Sequence, residues 1–356
     1  MSKFRNFIKI FFISLLLFLI TDFFFGEKFL KKVGIIYLEE LIRVPNNEYG
    51  YSFQKNINTN FAVWGNNYYK LCTDNRGFKY NCKDKYQSEY EIAFIGDSFT
   101  EGIGLPYEKT FVGIFRNKSN LRVVNLGVAS YSPYIYKKKI KHLIGSNNIS
   151  FNHLVVGVDL TDLEDDWSRQ QILNSNNKQI IKKFNLKIIN LLNIKIFLAK
   201  HFPSTYLILK KINWTVNINF LKNISVSHLD YEMNKASWSY IDNYKNLDLK
   251  IKNQIYNMNE LFLFLKQRNI KLSVLIYPHQ ASIKFDKKNS LYKEIWKNFC
   301  LNKCFKFIDA YSIFFEELEN SSKEQVMERY YIKNDPHFNY EGNTMVANIL
   351  YKNLVN

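Results

Sequence analysis

The chain has 356 residues, 47% of them hydrophobic and 17% aromatic, and carries a formal charge of +17. That apolar content excludes global disorder, and the length admits one large domain with an anchor, or two modest domains. The charge would suit a polyanion, but the lysines are scattered among Asn, Ile, Phe and Tyr as an A/T-rich coding bias would scatter them; with no binding module beside them, no nucleic-acid partner is expected.

Residues Ile10 to Phe25 are apolar except for Ser14, Thr21 and Asp22, and Lys3, Arg5 and Lys9 precede them. The run is a little shorter than the ~20 residues of a full membrane span, but Phe7, Ile8 and a snorkelling Lys9 extend it. No small-x-small cleavage site follows, so residues 1–30 read as an uncleaved signal anchor. The basic N-terminus predicts an inside start and an extracytoplasmic domain, although Lys28, Lys31 and Lys32 on the far flank weaken that orientation.

Residues 31–88 contain Tyr49-Gly50-Tyr51, Trp64-Gly65 and Asp74-Asn75-Arg76-Gly77-Phe78, the material of short strands and turns, and are expected to form a small β-rich preamble. The four cysteines fall into two local pairs. Cys72 and Cys82 bracket the Asn75-Arg76-Gly77 turn, and Cys300 and Cys304 stand at i, i+4 near a helix end. Two disulfides in an oxidising compartment, or free thiols, fit these spacings better than a four-cysteine zinc site, whose close-pair pattern is absent.

The main domain begins with Ile92 to Ile95, a short apolar run suited to a strand buried on both faces. It stops at Gly96-Asp97-Ser98, where glycine permits a tight turn and the polar pair leaves the core. Helical material is expected from Tyr107, a second buried strand over Leu121–Leu126, a helix over Tyr134–Ile144 and a third strand over His153–Val158. Residues 167–249 break the alternation and read as a helical insertion, with Gln179–Leu198 one helical segment. The insertion could serve as a lid, a membrane-surface contact or a partner surface. A helix over Ile251–Arg268, strands over Leu272–Tyr277 and Phe305–Ile308, and a last helix over Glu341–Leu354 complete the pattern. Alternation of this kind predicts an α/β fold, three layers with about five parallel strands.

Gly96-Asp97-Ser98-Phe99 with Gly102, then Asn125-Leu126-Gly127, then Asp159-Leu160-Thr161-Asp162, then Asp335-Pro336-His337, follow one another at the ends of these elements. In that order the blocks resemble the SGNH, or GDSL, hydrolases and acyltransferases of the membrane-anchored bacterial type, and Gly-Phe preambles like this one occur in many such relatives. The resemblance covers about Glu91 to Leu354 outside the insertion, and gives residues 89–354 as the hydrolase-like domain of a flavodoxin-like α/β/α fold. It implies Ser98 as nucleophile, His337 as base and Asp335 as its orienting acid. The oxyanion donors it implies are the Ser98 and Gly127 amides, with Thr161 in the place of the family's asparagine. Two departures stand out. The acid precedes the histidine by two residues where the commoner spacing is three, a place held here by Asn334; and a threonine hydroxyl replaces an amide donor.

The implied activity is that of a serine esterase or O-acyltransferase acting on O-acylated envelope or extracellular glycans or another small ester, without a cofactor. An envelope protein partner is also admitted. A noncatalytic binding or assembly protein on the same fold is the alternative, motivated by the missing asparagine and the long insertion. His279, after the fourth strand, is either a substrate contact or a turn residue.

Overall fold

The computed structural model describes residues 2–32, 42–64, 67–84, 87–146, 149–174, 194, 197–209, 211–212 and 228–355. Gly65 and Lys85 of the preamble, and Gln179–Leu198 apart from Ile194, Phe197 and Leu198, lie outside the described residues. The chain divides into two compact units: residues 1–44, 61–63 and 175–225, and residues 45–60, 64–174 and 226–356.

The first unit is built on a continuous helical stretch. An α-helix over Ser2–Thr21 passes into a π-helical turn over Asp22–Gly26 and resumes as Glu27–Lys32. By length and composition, Phe4–Leu30 is able to cross a membrane. The helix is therefore longer than the apolar run Ile10 to Phe25, because the basic and aromatic flanks continue it at both ends.

In the preamble, β1 (Arg43–Asn46) pairs with β2 (Gly50–Phe53), and β3 (Asn58–Trp64) with β4 (Asn67–Cys72). Both cysteine pairs are disulfides, Cys72–Cys82 and Cys300–Cys304, so the zinc alternative does not arise.

The second unit carries one parallel sheet of five strands: β5 (Glu89–Ile95), β6 (Val123–Asn125), β7 (Ser150–Val158), β8 (Lys271–Ile276) and β9 (Lys306–Asp309), in the order β6-β5-β7-β8-β9. Register is set by runs such as Ile92 opposite Val123 on one side and His153 on the other. Strands β5 and β7 lie inside the sheet, and the residues that carry them, from Ile92 to Ile95 and from Leu154 to Val158, are buried without alternation, as both-face coverage demands.

After β5 the chain makes a 3-10 turn (Tyr107–Lys109) and a helix (Phe111–Ser119), where one helix from Tyr107 is expected from sequence. Thr110 causes the break: its backbone is extended, and its hydroxyl caps the new helix by accepting from the Gly113 amide at 3.1 Å. This helix packs with the last one, Tyr340–Leu354, while Pro133–Gly145, Asp162–Asn174 and Leu247–Lys266 pack with one another. Strand order reverses at β5, so right-handed crossovers send the first helix to one face and the next to the other. The crevice this leaves at the C-terminal end of β5 is where open α/β sheets place ligands.

Candidate active site

Ser98 stands in that crevice. Gly96 is required there because a Cβ would meet Thr100 Oγ1 at 2.1 Å and the Gly157 carbonyl at 2.7 Å, so β5 and β7 close tightly under the turn. Asp97 then caps a one-turn helix, Ser98–Glu101, its Oδ1 accepting from the Phe99 amide at 3.0 Å; Gly102, at φ 66°, ends the turn. Ser98 is the first residue of that turn and is half-buried, and its amide has no hydrogen-bond partner among the described residues.

His337 arrives from the other end of the domain on a narrow loop. Tyr331 and Phe338 bridge antiparallel, the Ile332 amide donates to the His337 carbonyl at 2.8 Å, and Asn334 turns the chain at φ 59°, a conformation asparagine tolerates. Asn339 closes the loop by capping the last helix, accepting from the Gly342 amide. Within this frame His337 Nε2 lies 2.7 Å from Ser98 Oγ, and His337 Nδ1 lies 2.6 Å from Asp335 Oδ1, which also accepts the His337 amide. Asp335, at the shorter spacing, meets the imidazole.

The electrostatics suit a base held ready. Burial opposes protonation of His337, but the hydrogen bond and charge of Asp335, with Asp97 and Asp159 behind them, outweigh it and hold its pKa above the ordinary 6.5. Burial likewise works against the Asp335 anion; its bonds to His337 and the Trp64 indole keep it below the usual carboxylate value. An ionised Asp335 can only accept, so Nδ1 carries the proton and Nε2 is left to accept from the serine hydroxyl.

Trp64 is a member of the site that no motif reveals. Its indole Nε1 donates to Asp335 Oδ2 at 2.7 Å, and its ring meets His337 edge-on at 5.5 Å. Phe99 covers another side of the imidazole at 5.0 Å and packs in turn on Phe338 and Tyr277. Trp64 and Phe99 thus both pack on the imidazole.

The other two expected oxyanion donors are already engaged. Gly127 donates its amide to Asn125 Oδ1 at 2.9 Å, while Asn125 Nδ2 holds the Thr100 carbonyl at 2.7 Å. Thr161 gives both its amide and its hydroxyl to Asp159 Oδ2, at 3.0 and 2.5 Å. Elsewhere in the loop after β6, the Leu126, Val128, Ala129 and Tyr131 amides bond to Phe94 O, Gly96 O, Glu101 Oε2 and Val128 O. That leaves Ser130, at φ 57°, as the amide from Leu126 to Tyr131 without a partner among the described residues. Two tyrosines brace this loop on the preamble: Tyr51 donates to the Ala129 carbonyl and Tyr131 to the Tyr51 carbonyl, each at 2.5 Å.

Beneath the nucleophile lies a buried acid cluster. Burial, then the charge of Asp159, raises the Asp97 carboxyl well above its ordinary value, and burial with Asp97 and Asp159 does the same to Asp162. Tyr277 and Tyr136 donate to Asp97 and Asp162 at 3.2 and 2.8 Å. His279 is buried and structural: Nδ1 accepts from the Ala281 amide as a helix cap, and burial lowers its pKa to about 4. Among the described residues no group of three or more His, Cys, Asp or Glu side chains could hold a metal ion.

No family model matches the sequence, and no curated protein does. Among solved structures, a catalytic mutant of Axe2, an acetylxylan esterase from Geobacillus stearothermophilus, aligns over 76% of this chain and 95% of its own at 12% identity and a TM-score of 0.41. A lipolytic protein of the G-D-S-L family from Desulfitobacterium hafniense aligns over 75% and 100% at 11% identity and 0.40. LAE5, an alpha/beta hydrolase enzyme from the metagenome of Lake Arreo, aligns over 75% and 95% at 11% identity and 0.37. The sheet order and the triad geometry stand on the chain's own residues.

Proposed function

We propose that this chain is a membrane-anchored serine esterase or O-acyltransferase working through an acyl-serine intermediate. The observation that carries the reading is the continuous hydrogen-bonded line from Ser98 Oγ through His337 to Asp335. A free serine hydroxyl is a poor nucleophile, and an adjacent oriented base is the remedy that acyl transfer requires.

Ser98 Oγ attacks the ester carbonyl carbon as its proton passes to His337 Nε2. The carbonyl π-pair moves onto oxygen, and the resulting oxyanion takes a hydrogen bond from the Ser98 amide. Collapse breaks the bond to the alkoxy group, which leaves as the alcohol with the proton from Nε2. Water or an acceptor hydroxyl then gives its proton to Nε2 and attacks the acyl-serine, releasing acid or a new ester together with the restored Ser98. Asp335 stays ionised throughout and stabilises the imidazolium that forms at each half-reaction. Trp64 holds the second carboxylate oxygen in place.

Location narrows the substrate. The N-terminal helix reads as a retained anchor because Asp22 caps a second helix in the same unit, accepting from the Ser204 and Thr205 amides at 3.0 and 2.8 Å. Cleavage after the helix would strip that cap. Two disulfides and a basic N-terminus favour an extracytoplasmic catalytic domain, where O-acylated glycans are among the ester-bearing substrates at hand.

Hydrolysis of 4-nitrophenyl acetate by the full chain in detergent tests the reading, with an O-acetylated oligosaccharide as the second substrate. Turnover lost in Ser98→Ala supports it. Equal turnover by wild type and Ser98→Ala would defeat it.

A further inference from the structure

The joint between the N-terminal helix and the second helix of the first unit is more elaborate than an anchor alone needs. Residues 203–209 are helical and begin at Pro203, so the free amides of their first turn need acceptors. Asp22 supplies them from the other helix: Oδ1 accepts Ser204 N, and Oδ2 accepts Thr205 N and Thr205 Oγ1 at 2.8 and 2.7 Å. The π-turn Asp22–Gly26 places Gly26 against the same point, where a Cβ would lie 3.1 Å from the Pro203 ring. Phe23 packs on His201 and Phe202. The one acidic residue of the apolar stretch is thereby buried and satisfied, which is the condition for polar groups at membrane depth.

The surfaces these helices leave open are apolar. Phe197, Ile208, Leu209 and Ile212 are each about half exposed or more, and they continue the exposed face that Phe18, Phe25 and Phe29 present on the anchor. Between the helices runs a cavity of about 470 Å³, walled by Phe18, Phe25, Phe29 and Leu30 on one side and by Leu207 and Ile208 on the other. Of its polar side chains, Thr21 donates to the Leu17 carbonyl and Asp22 accepts from the Ser204 and Thr205 amides, so the lining is almost wholly apolar. Asp22 comes 18 residues after Phe4, or about 27 Å along the helix at roughly 1.5 Å per residue, near the far edge of a ~30 Å hydrocarbon core. At that depth an amphipathic helix lies in the interface with its apolar face among acyl chains, and the exposed Lys200 and Lys211 can reach the headgroups.

We propose that residues 197–209, with 211 and 212, form a second, interfacial membrane element, and that the cavity between it and the anchor is a binding site for the acyl chain of a membrane lipid. The argument for lipid, and not for a second copy of the chain, is continuity: the cavity opens on the same apolar face that the spanning helix turns to the bilayer. The proposal rests on the anchor reading above and is independent of the chemistry at Ser98.

The test uses the full chain in phosphatidylcholine and phosphatidylglycerol vesicles that include a phosphatidylcholine with a diazirine in its acyl chain. After irradiation, adducts are mapped by peptide mass spectrometry. Adducts are expected on residues 4–16 and also on 203–209. Leu207→Trp, which fills the cavity, should cut the adducts on the cavity-lining Leu30 and Ser204 about tenfold, the factor that ~1.4 kcal/mol of lost affinity produces, and leave those on 4–16 and on the exposed Leu209 unchanged. Adducts confined to 4–16 would overturn the lipid site and leave the anchor standing. Adducts nowhere would overturn both. Cross-links from 203–209 to a second copy, or adducts on Leu30 and Ser204 undiminished in Leu207→Trp with an unaltered melting curve, would also overturn the site.

Discussion

His337 decides the pH dependence of this site, because only its neutral form can take the serine proton. Asp335, through its hydrogen bond and its charge, outweighs burial and holds the His337 pKa above the ordinary 6.5, so the acid limb of kcat/KM, which reports the free enzyme, should fall above that value. Trp64 tunes the limb through Asp335. In Trp64→Phe the indole donor is lost, the Oδ2 charge is less neutralised, and the imidazolium is held more strongly. The limb should then move to higher pH, and kcat/KM should fall about tenfold, the effect of losing one hydrogen bond to a charged group. A lower melting temperature with an unmoved limb would reduce Trp64 to packing. Asp97 makes a separate prediction for stability. Its folded pKa lies well above the unfolded value near 3.8, so the folded state holds a proton that the unfolded state has released. Stability is therefore expected to fall as pH rises from about 4 toward 8. Asp97→Asn, which is neutral throughout, should flatten that part of the stability curve, as urea titrations across the range would show.

Among the elements, some were legible in the sequence and others were not, for identifiable reasons. The central strands announce themselves as largely apolar runs, because burial on both faces leaves no polar alternation to mislead, and all five positions agree with expectation to within a few residues; β9, at the sheet edge, is carried by Phe307 and Ile308 alone. Ser98 and His337 follow from local turns at the ends of such elements. Trp64 does not, because its partner is 271 residues away and nothing in Trp64-Gly65 points toward Asp335. The fate of the Gly127 amide was equally hidden: it depends on the side chain of Asn125, which reads in sequence as one more strand residue. The break at Thr110 shows how one capping hydroxyl resets a helix start. The preamble thus acts as part of the site, through Trp64 on the triad and Tyr51 on the loop after β6. Its 72–82 disulfide closes a loop of 10 residues' separation next to these contacts, and should contribute about 2–3 kcal/mol by restricting the unfolded chain. Cys72→Ser with Cys82→Ser should lower the unfolding free energy by that amount, measurable in guanidinium. An unchanged midpoint would mean the bridge constrains nothing.

At the scale of the whole chain, a five-stranded sheet brings two distant loops to one crevice, and a separate unit carries an apolar helix able to cross a membrane. The insertion contributes to both. Its last part ties into the sheet domain through the Trp238 indole, which donates to the Leu160 carbonyl at 2.7 Å, and through Lys235 on Asp165. Its earlier part belongs with the N-terminal helix. The triad geometry speaks against the noncatalytic alternative, since Ser98, His337 and Asp335 are within hydrogen-bonding distance in the order acyl transfer needs; the engaged Gly127 and Thr161 donors speak for it. The central claim is that Ser98 is an activated nucleophile, and a fluorophosphonate probe tests it most directly, since it reacts with a serine only where a base has made it nucleophilic. Applied to the full chain in detergent beside Ser98→Ala and His337→Ala, the probe should label wild type at Ser98 and neither variant. Equal labelling of all three, or no labelling of folded wild type, would contradict the account.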